Sequence, residues 1–286
     1  MLFSDSIQRF HSYMESKDYA ETTINGYMKQ LKYFRRWIED KYNGPVYLDE
    51  IDLTDLDDYL LYRKDKGDKT ASRSRVGYIL KSFYKFVARK ELGENLALDL
   101  EPVQPRKKER DYLTEDEYKD VLEEIEKPLI RSVTIAIYYT GARISECLNL
   151  KLEDLDFKNQ VVHIKRGKGN KDRKIAMNGS LKKELQNYIQ NIRPKSVDSD
   201  YLFATARSGS LSRSYYNRRL KKAVERAGVK KDITAHCLRH SMAVSLVQKG
   251  VDLPTIRDIL GHESLKTTSI YVHSDMTQMR DALEAI

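Results

Sequence analysis

Six side chains, spread from residue 143 to residue 271, have the types needed to attack a phosphodiester. They are Arg143, Lys168, His236, Arg239, His262 and Tyr271. None is a carboxylate, whereas metal-assisted phosphoryl transfer usually recruits carboxylate ligands. A tyrosine hydroxyl can instead attack the phosphorus directly while fixed cations hold the negative charge of the phosphate. The set therefore predicts an enzyme that acts on nucleic acid and needs no metal or other cofactor.

A metal site is the competing interpretation of part of this set. His236 and His240 stand four residues apart, as they would on one face of a helix. Cys237 and His262 would complete a set of four ligands, the number that structural zinc requires. Arg239 lies inside the cluster, however, and its fixed positive charge would repel a cation. The sequence thus favours a phosphate over a metal ion.

Length and composition indicate a globular protein of two domains. The 286 residues suffice for two domains, and 40% hydrophobic with 33% charged residues is an ordinary globular composition. No run of 18 apolar residues occurs, and the N-terminal residues MLFSDSIQRF lack a signal-peptide pattern. We therefore expect a cytoplasmic protein without a membrane partner. Two cysteines, Cys147 and Cys237, do not indicate a disulfide framework.

The net charge of +8 is unevenly distributed. Residues 1–103 contain 17 Lys/Arg and 18 Asp/Glu, whereas residues 112–286 contain 30 and 23. A basic C-terminal part suits a polyanionic partner, because neutralised phosphates supply most non-specific affinity for DNA.

The chain is predicted to be mainly α-helical, with two domains. In residues 1–103 a helix capped by Thr22 or Thr23, a second helix near 54–67 and a third near 69–90 form an all-helical N-terminal domain. Residues 104–111, QPRKKERD, have almost no apolar side chain and are the predicted linker. Thr114 and Glu117 then form a capping box that begins a new helix.

Residues 112–286 are predicted to form a second, mostly helical α+β domain with a small antiparallel hairpin. Alternating residues near 161–165 and 174–177 flank the glycine-containing turn 167–170. Residues 212–228 form a strongly basic helix, and residues 69–90 present a basic face. The side chains on these two helices that are expected to contact DNA are Arg73, Arg75, Lys81, Arg213, Arg218, Arg219 and Lys222.

The order and spacing of the six chemical residues resemble those of the tyrosine recombinase (phage integrase) family, particularly its small Xer-like members. Residues 260–273, LGHESLKTTSIYVH, look like that family's box around the nucleophile, and AHCLRHSMA, residues 235–243, looks like its middle box. Residues 22–38, TTINGYMKQLKYFRRWI, are similar to the start of its core-binding domain. The resemblance covers nearly the whole chain.

The resemblance implies a SAM-like core-binding domain (1–103), a catalytic domain (112–286) and a role for each of the six residues. Tyr271 would be the nucleophile and would form a 3′-phosphotyrosyl intermediate. Arg143 and Arg239 would hold the non-bridging phosphate oxygens, because a guanidinium forks onto phosphate. Lys168 would protonate the departing 5′-oxygen. His236 would assist proton transfer, and His262 would hydrogen-bond the phosphate.

The resemblance also implies partners. One partner would be duplex DNA with a specific recombination site. A cyclic tetramer associated with the nucleoid would exchange its strands through a Holliday junction. Accessory proteins are a further class of partner that it allows. The tail, residues 272–286, carries an apolar stripe that suits docking either on its own subunit or on a neighbour, and the resemblance implies docking in trans within the tetramer. The stripe consists of Met276, Met279, Leu283 and Ile286.

Two other functions fit part of the pattern. A type IB topoisomerase shares the Arg, Lys, His and Tyr roles but relaxes supercoils without a specific site or four subunits. A non-catalytic, sequence-specific DNA-binding protein would explain the basic helices, but it would not need Tyr271 or Lys168.

Overall fold

Helices account for most of the fold in the computed structural model, which describes residues 1–104, 111–165, 172–261 and 264. The expected architecture, mainly helical with a small antiparallel sheet, is confirmed. The chain divides into two compact units, Met1–Lys108 and Glu109–Ile286, and the division falls inside segment 104–111. None of the helices in the described ranges is both long and apolar enough to cross a membrane.

Over residues 1–104, the first unit consists of four α-helices around an aromatic core. They are α1 (Phe3–Glu15), α2 (Glu21–Tyr42), α3 (Leu53–Asp65) and α4 (Thr70–Arg89). Phe3 meets the rings of Phe34 and Phe83 edge-on, each at 5.5 Å between centroids, and all three are buried. Edge-to-face pairs of this kind add to the free energy gained by burial. Phe3 of α1 therefore contacts both α2 and α4.

Of the two ends of α2, one follows a local sequence signal. Asn43 ends α2 in the left-handed conformation at φ 55°, which asparagine tolerates better than most residues. The predicted cap at Thr22 or Thr23 is wrong, because α2 begins at Glu21 and both threonines lie in its first turn. Glu21 itself suits that turn, since a negative charge there complements the helix dipole. Helix α1 was not among the predicted helices.

The second unit has seven α-helices and one sheet within the described ranges. The helices are α5 (Glu115–Glu123), α6 (Pro128–Thr140), α7 (Ile144–Leu148), α8 (Gly179–Asn187), α9 (Arg213–Arg226), α10 (Ala235–Gln248) and α11 (Leu253–Leu260). The strands are β1 (Leu155–Asp156), β2 (Val161–Ile164) and β3 (Arg173–Ala176). The capping box of Thr114 and Glu117 at the start of α5 is confirmed.

The predicted hairpin is the β2–β3 pair, and it belongs to a three-stranded antiparallel sheet with the order β1-β2-β3. The register places Ile164 opposite Arg173 at the end from which the connecting residues leave. Strand β1 was not predicted, because two residues are too few to show an alternating pattern. Arg173 is the first residue of β3 and therefore lies at this end of the sheet.

Helix α6 lies in the centre of the second unit and is buried on nearly all sides. It ends at Thr140 and is followed by Gly141, which has a φ of 59°. A Cβ on Gly141 would clash with Met242 Cε and would lie 3.0 Å from Leu260 Cδ2. The end of α6 therefore touches both α10 and α11, and only glycine fits there without displacing them.

Candidate functional site

Arg143 immediately precedes helix α7 and is bound to a carboxylate three residues later. Its backbone N–H donates to Glu146 Oε2 at 2.9 Å, and its Nη1 donates to Glu146 Oε1 at 2.6 Å. The Glu146 side chain is 4% exposed, whereas that of Arg143 is 27% exposed. A buried carboxylate thus orients both the main chain and the guanidinium of Arg143, while part of the arginine stays open to solvent.

A second arginine, Arg173, shares the same carboxylate. Its Nη2 donates to Glu146 Oε2 at 2.8 Å, and its Nε donates to the carbonyl oxygen of Ile259 at 3.0 Å. Only 11% of the Arg173 side chain is exposed. The first residue of β3 is therefore tied at once to α7 and to the C-terminal turn of α11.

The charge balance of this cluster is positive. Burial alone would raise the pKa of Glu146, but hydrogen bonds from Arg173 and Arg143 outweigh burial and hold that pKa below its usual value. The carboxylate is consequently ionised at neutral pH. Because one negative charge is shared by two guanidinium groups, the cluster retains a net positive charge and attracts anions.

Arg239 lies on α10 and is 1% exposed. Its Nη1 donates to the carbonyl oxygen of Gly141, and its Nη2 donates to that of Leu260 at 2.6 Å. Gly141 is two residues before Arg143, and Leu260 is two residues before His262. One guanidinium therefore joins the segments that lead to two of the other predicted site residues.

His236 is exposed in the first turn of α10, three residues before Arg239 and on the same side of the helix. His240, one turn after His236, is buried, and its ring meets that of Tyr112 edge-on at 5.8 Å. Over the described ranges, no group of three His, Cys, Asp or Glu side chains is placed to hold a metal ion.

Three of the six predicted residues, Lys168, His262 and Tyr271, lie outside the described residues, as does the tail with its apolar stripe. The structure does place the residues that flank two of them. Strand β2 ends at Ile164 and β3 begins at Arg173, on either side of the segment containing Lys168. Helix α11 ends at Leu260, and Gly261 follows in the left-handed conformation at φ 63°.

The predicted basic helix is α9. Arg218 and Arg219 both lie over the ring of Tyr215, with their guanidinium carbons 5.4 and 5.2 Å from its centroid. Cation–π contact of this kind holds arginines in place without neutralising them. The four predicted DNA-contact residues on α9 are the exposed Arg213, Arg218 and Lys222 and the half-buried Arg219.

Other cations of α9 are paired. Arg226 forms ion pairs with Glu124 and Glu126, and Lys221 pairs with Glu225. The N-terminal and middle parts of α9 therefore present the more strongly positive surface, while Arg226 fastens the end of α9 to the α5–α6 connection.

The first unit carries the other predicted contacts, Arg73, Arg75 and Lys81, on α4. Arg75 is exposed, and a Cβ on Gly26 would lie 2.8 Å from its Nη2, so the guanidinium rests against the backbone of α2. Arg73 and Lys81 are half-buried. Each unit thus has a basic helix surface of its own.

Sequence reasoning missed two members of the arginine cluster. Glu146 stands three residues after Arg143, the spacing of a capping box, and this signal was present in the motif GARISE. Arg173 closes the motif RGKGNKDR, but no local pattern points to its partners, which are 27 and 86 residues away in sequence.

Comparisons with known proteins match both units. Residues 111–278 match the phage integrase family, and residues 7–91 match the phage integrase N-terminal SAM-like domain. The expected SAM-like character of the N-terminal unit is thereby confirmed.

Individual relatives match over most of their length. The tyrosine recombinase XerA of Pyrococcus furiosus is 34% identical over 99% of this chain and 94% of its own. A tyrosine recombinase XerC of Lactobacillus delbrueckii subsp. bulgaricus is 33% identical over 95% of both chains. The crystal structure of XerH site-specific recombinase, bound to a palindromic difH substrate in a post-cleavage complex, has a TM-score of 0.74 and 25% identity over 92% of this chain and 79% of that one. Because the family match spans the catalytic unit and these relatives match both units, the chain belongs to the phage integrase family and is a tyrosine site-specific recombinase.

Proposed function

We propose that this recombinase cuts and rejoins duplex DNA at a specific site through a 3′-phosphotyrosyl intermediate and exchanges strands through a Holliday junction. The observation that carries the proposal is the position of Arg239, which bonds to the segments leading to Arg143 and to His262. Arg239 thereby connects the two segments that precede Arg143 and His262, and the guanidinium groups of Arg143 and Arg239 would supply the fixed positive charge of one site. Such a site suits a phosphodiester whose charge increases in the transition state.

In the first step the Tyr271 hydroxyl oxygen attacks the phosphorus, and the bond from phosphorus to the 5′-oxygen breaks. His236 assists removal of the tyrosine proton, and Lys168 gives a proton to the departing 5′-oxygen. In the second step the 5′-hydroxyl of another strand attacks the phosphotyrosine, and the tyrosine leaves with its proton restored. One ester replaces another in each step, so the reaction itself requires no ATP.

The arginines act on the non-bridging oxygens of the phosphate. Arg143 is oriented by Glu146, and Arg239 is held by two carbonyl oxygens, so neither guanidinium has to be reorganised as charge develops. His262 is a further hydrogen-bond donor to the phosphate in this proposal. Each of these roles requires a hydrogen-bond donor that is held in position against the phosphate. A flexible surface arginine would not provide such a donor.

The basic helices supply the hold on DNA. The surfaces of α4 and α9 bind the duplex through the seven arginines and lysines described above, which fits the XerH structure, a complex of that recombinase with its difH substrate. In the proposed assembly four subunits form a cyclic tetramer on the nucleoid. Each tail, residues 272–286, docks on the next subunit.

Covalent trapping tests the proposal. The protein is incubated with genomic fragments, bound sequences are recovered, and a nicked suicide substrate is built from them. Wild-type protein should give an adduct that survives a denaturing gel, with and without excess EDTA. Tyr271→Phe should bind the same DNA but form no adduct, since only the hydroxyl attacks. Tyr201→Phe, which alters an exposed tyrosine of the same unit, is the matched control and should react normally. Adduct from Tyr271→Phe, or none from the wild type on any recovered site, would contradict the proposal.

A further inference from the structure

We propose that Arg173 is a positioning residue for DNA cleavage, which keeps Arg143 available to the phosphate by sharing the carboxylate of Glu146. The inference rests on the proposed function, since it assigns Arg143 to the scissile phosphate. Arg173 itself need not touch the DNA. It acts through Glu146 and through the end of α11.

The geometry requires a guanidinium at residue 173. Nη2 donates to Glu146 Oε2 at 2.8 Å while Nε donates to the carbonyl oxygen of Ile259 at 3.0 Å. These two donors point to acceptors on different elements, and a planar fork reaches both at once. A lysine has a single nitrogen at the end of a flexible stem and cannot reproduce both directions with the same rigidity.

The consequence for Arg143 follows from charge sharing. Glu146 is 4% exposed, so its charge is balanced by protein groups more than by water. With Arg173 present, Oε2 is bound by Arg173 and by the Arg143 backbone, and Oε1 is bound by the Arg143 guanidinium. Without Arg173, the buried carboxylate would depend on Arg143 alone for positive charge and would hold it more tightly. Arg143 would then be drawn away from the DNA phosphate.

Arg173 also contacts Gly261, the residue before His262. A Cβ on Gly261 would lie 3.0 Å from Arg173 Cδ, 3.1 Å from Nη1 and 3.2 Å from Nε. The arginine therefore lies directly against the backbone turn that precedes His262. Gly261 also has a positive φ of 63°, a conformation that favours glycine. Both this backbone conformation and the contact with Arg173 therefore favour glycine at this turn.

The expected effect is a loss in the cleavage step and not in DNA binding. Misplacing a group that contacts the reacting phosphate by about 1 Å can cost about 10²-fold in rate. We expect Arg173→Met to slow adduct formation by about 10²-fold at saturating protein. Arg173→Lys keeps the charge but not the planar fork, so it should slow adduct formation by a smaller but measurable factor. The dissociation constant for the intact site should change by less than about twofold, since Arg173 is 11% exposed and is not a DNA contact in this proposal.

The test is a double-mutant cycle on a suicide substrate under single-turnover conditions. Arg173→Met is measured alone and in the Arg143→Ala background. If Arg173 acts through Arg143, its penalty should largely disappear when Arg143 is already absent. A neutral methylphosphonate at the scissile position should shrink the Arg173→Met penalty in parallel with that of Arg143→Ala, because less charge then needs to be stabilised.

Arg193→Met is the matched control, since Arg193 also donates to backbone carbonyl oxygens, those of Ser199 and Tyr201, within the same unit. It should lower the melting temperature without changing the cleavage rate of folded protein. Arg173→Lys retains the charge and provides a second variant should Arg173→Met fold poorly. Additive penalties in the cycle, or a normal cleavage rate in either Arg173 variant, would overturn the inference while wild-type cleavage upholds the proposed function. Absence of adduct from the wild type would instead overturn both.

Discussion

The guanidinium of Arg239 donates from Nη1 to the carbonyl oxygen of Gly141, which lies 98 residues earlier in the chain. Its Nη2 donates to Leu260, so the same side chain also holds the end of α11. Leu260 is the last residue of α11, and Gly141 directly follows the last residue of α6; carbonyl groups at helix C-termini lack partners within the helix. Arg239 therefore binds the C-terminal ends of α6 and α11, and Arg143 lies two residues after the first of these contacts.

Replacing Arg239 with lysine should reduce cleavage far more than a retained positive charge would suggest. An ammonium group cannot fork between two carbonyl oxygens and also present a planar donor to phosphate. Losing one transition-state donor typically costs about 10²–10³-fold in rate. Single-turnover adduct formation measures the effect, with gel-shift affinity as the control for binding. A cleavage rate within about threefold of wild type would show that Arg239 is dispensable at the phosphate.

Gly141→Ala should destabilise the second unit more than a glycine substitution made elsewhere at a similar φ. The matched control is Gly228→Ala, where φ is 69° and no atom lies within 4 Å of the added methyl group. Gly228→Ala incurs only the backbone cost, about 1–2 kcal/mol. Gly141→Ala adds the clash with Met242, and overpacking of this kind costs about 1–3 kcal/mol more. Urea unfolding measures both variants; equal losses would mean that Met242 moves aside without cost.

Lys168→Ala should be rescued by a substrate in which sulfur replaces the scissile 5′-oxygen. A thiolate leaves without a proton, so the general acid becomes unnecessary. Adduct formation on the oxygen and sulfur substrates should therefore differ greatly in the variant and little in the wild type. If the variant cleaves both substrates equally poorly, Lys168 does not supply the proton.

Arg218→Ala combined with Arg219→Ala should weaken DNA binding and flatten its dependence on salt. Each phosphate contact adds about 0.9 to the slope of log affinity against log salt, so the slope should fall by about 2. Arg226→Ala is the control on the same helix, because Arg226 is already paired with two carboxylates. Its slope should stay at the wild-type value. An unchanged slope in the double variant would remove α9 from the interface.

Glu146 should stabilise the fold at neutral pH and lose this contribution in acid. Burial acts to raise its pKa, but the hydrogen bonds from Arg173 and Arg143 outweigh burial and hold the pKa in the folded protein below the usual 4.5. A depressed pKa gives stability that is complete above the unfolded value and is lost as the pH falls through the folded value. The difference in unfolding free energy between wild type and Glu146→Gln should be constant above about pH 6 and narrow below 4.5. A difference that widens on acidification would contradict the ion-pair assignment.

Features that depend on residues close together in the chain were predictable from the sequence. Thr114 and Glu117 predicted the start of α5, because a capping box joins residues three apart. His236 and Arg239 share a helix side for the same reason of spacing. Alternation of apolar residues predicted the β2–β3 hairpin, and the order of the six chemical residues was enough to indicate the family.

Contacts between residues that are far apart in the chain depend on how the helices and strands pack, and they were not predictable from local patterns. Arg173 donates to Glu146 and Ile259, and Arg239 donates to Gly141 and Leu260. Each of these pairings depends on how α6, α7, α10, α11 and the sheet pack together. Local periodicity tells which face of each element is buried, but not which elements share that buried face. Gly141 illustrates the difference: its place at a helix end follows from its lack of a Cβ, whereas its contact with Met242 exists because α10 packs against the end of α6.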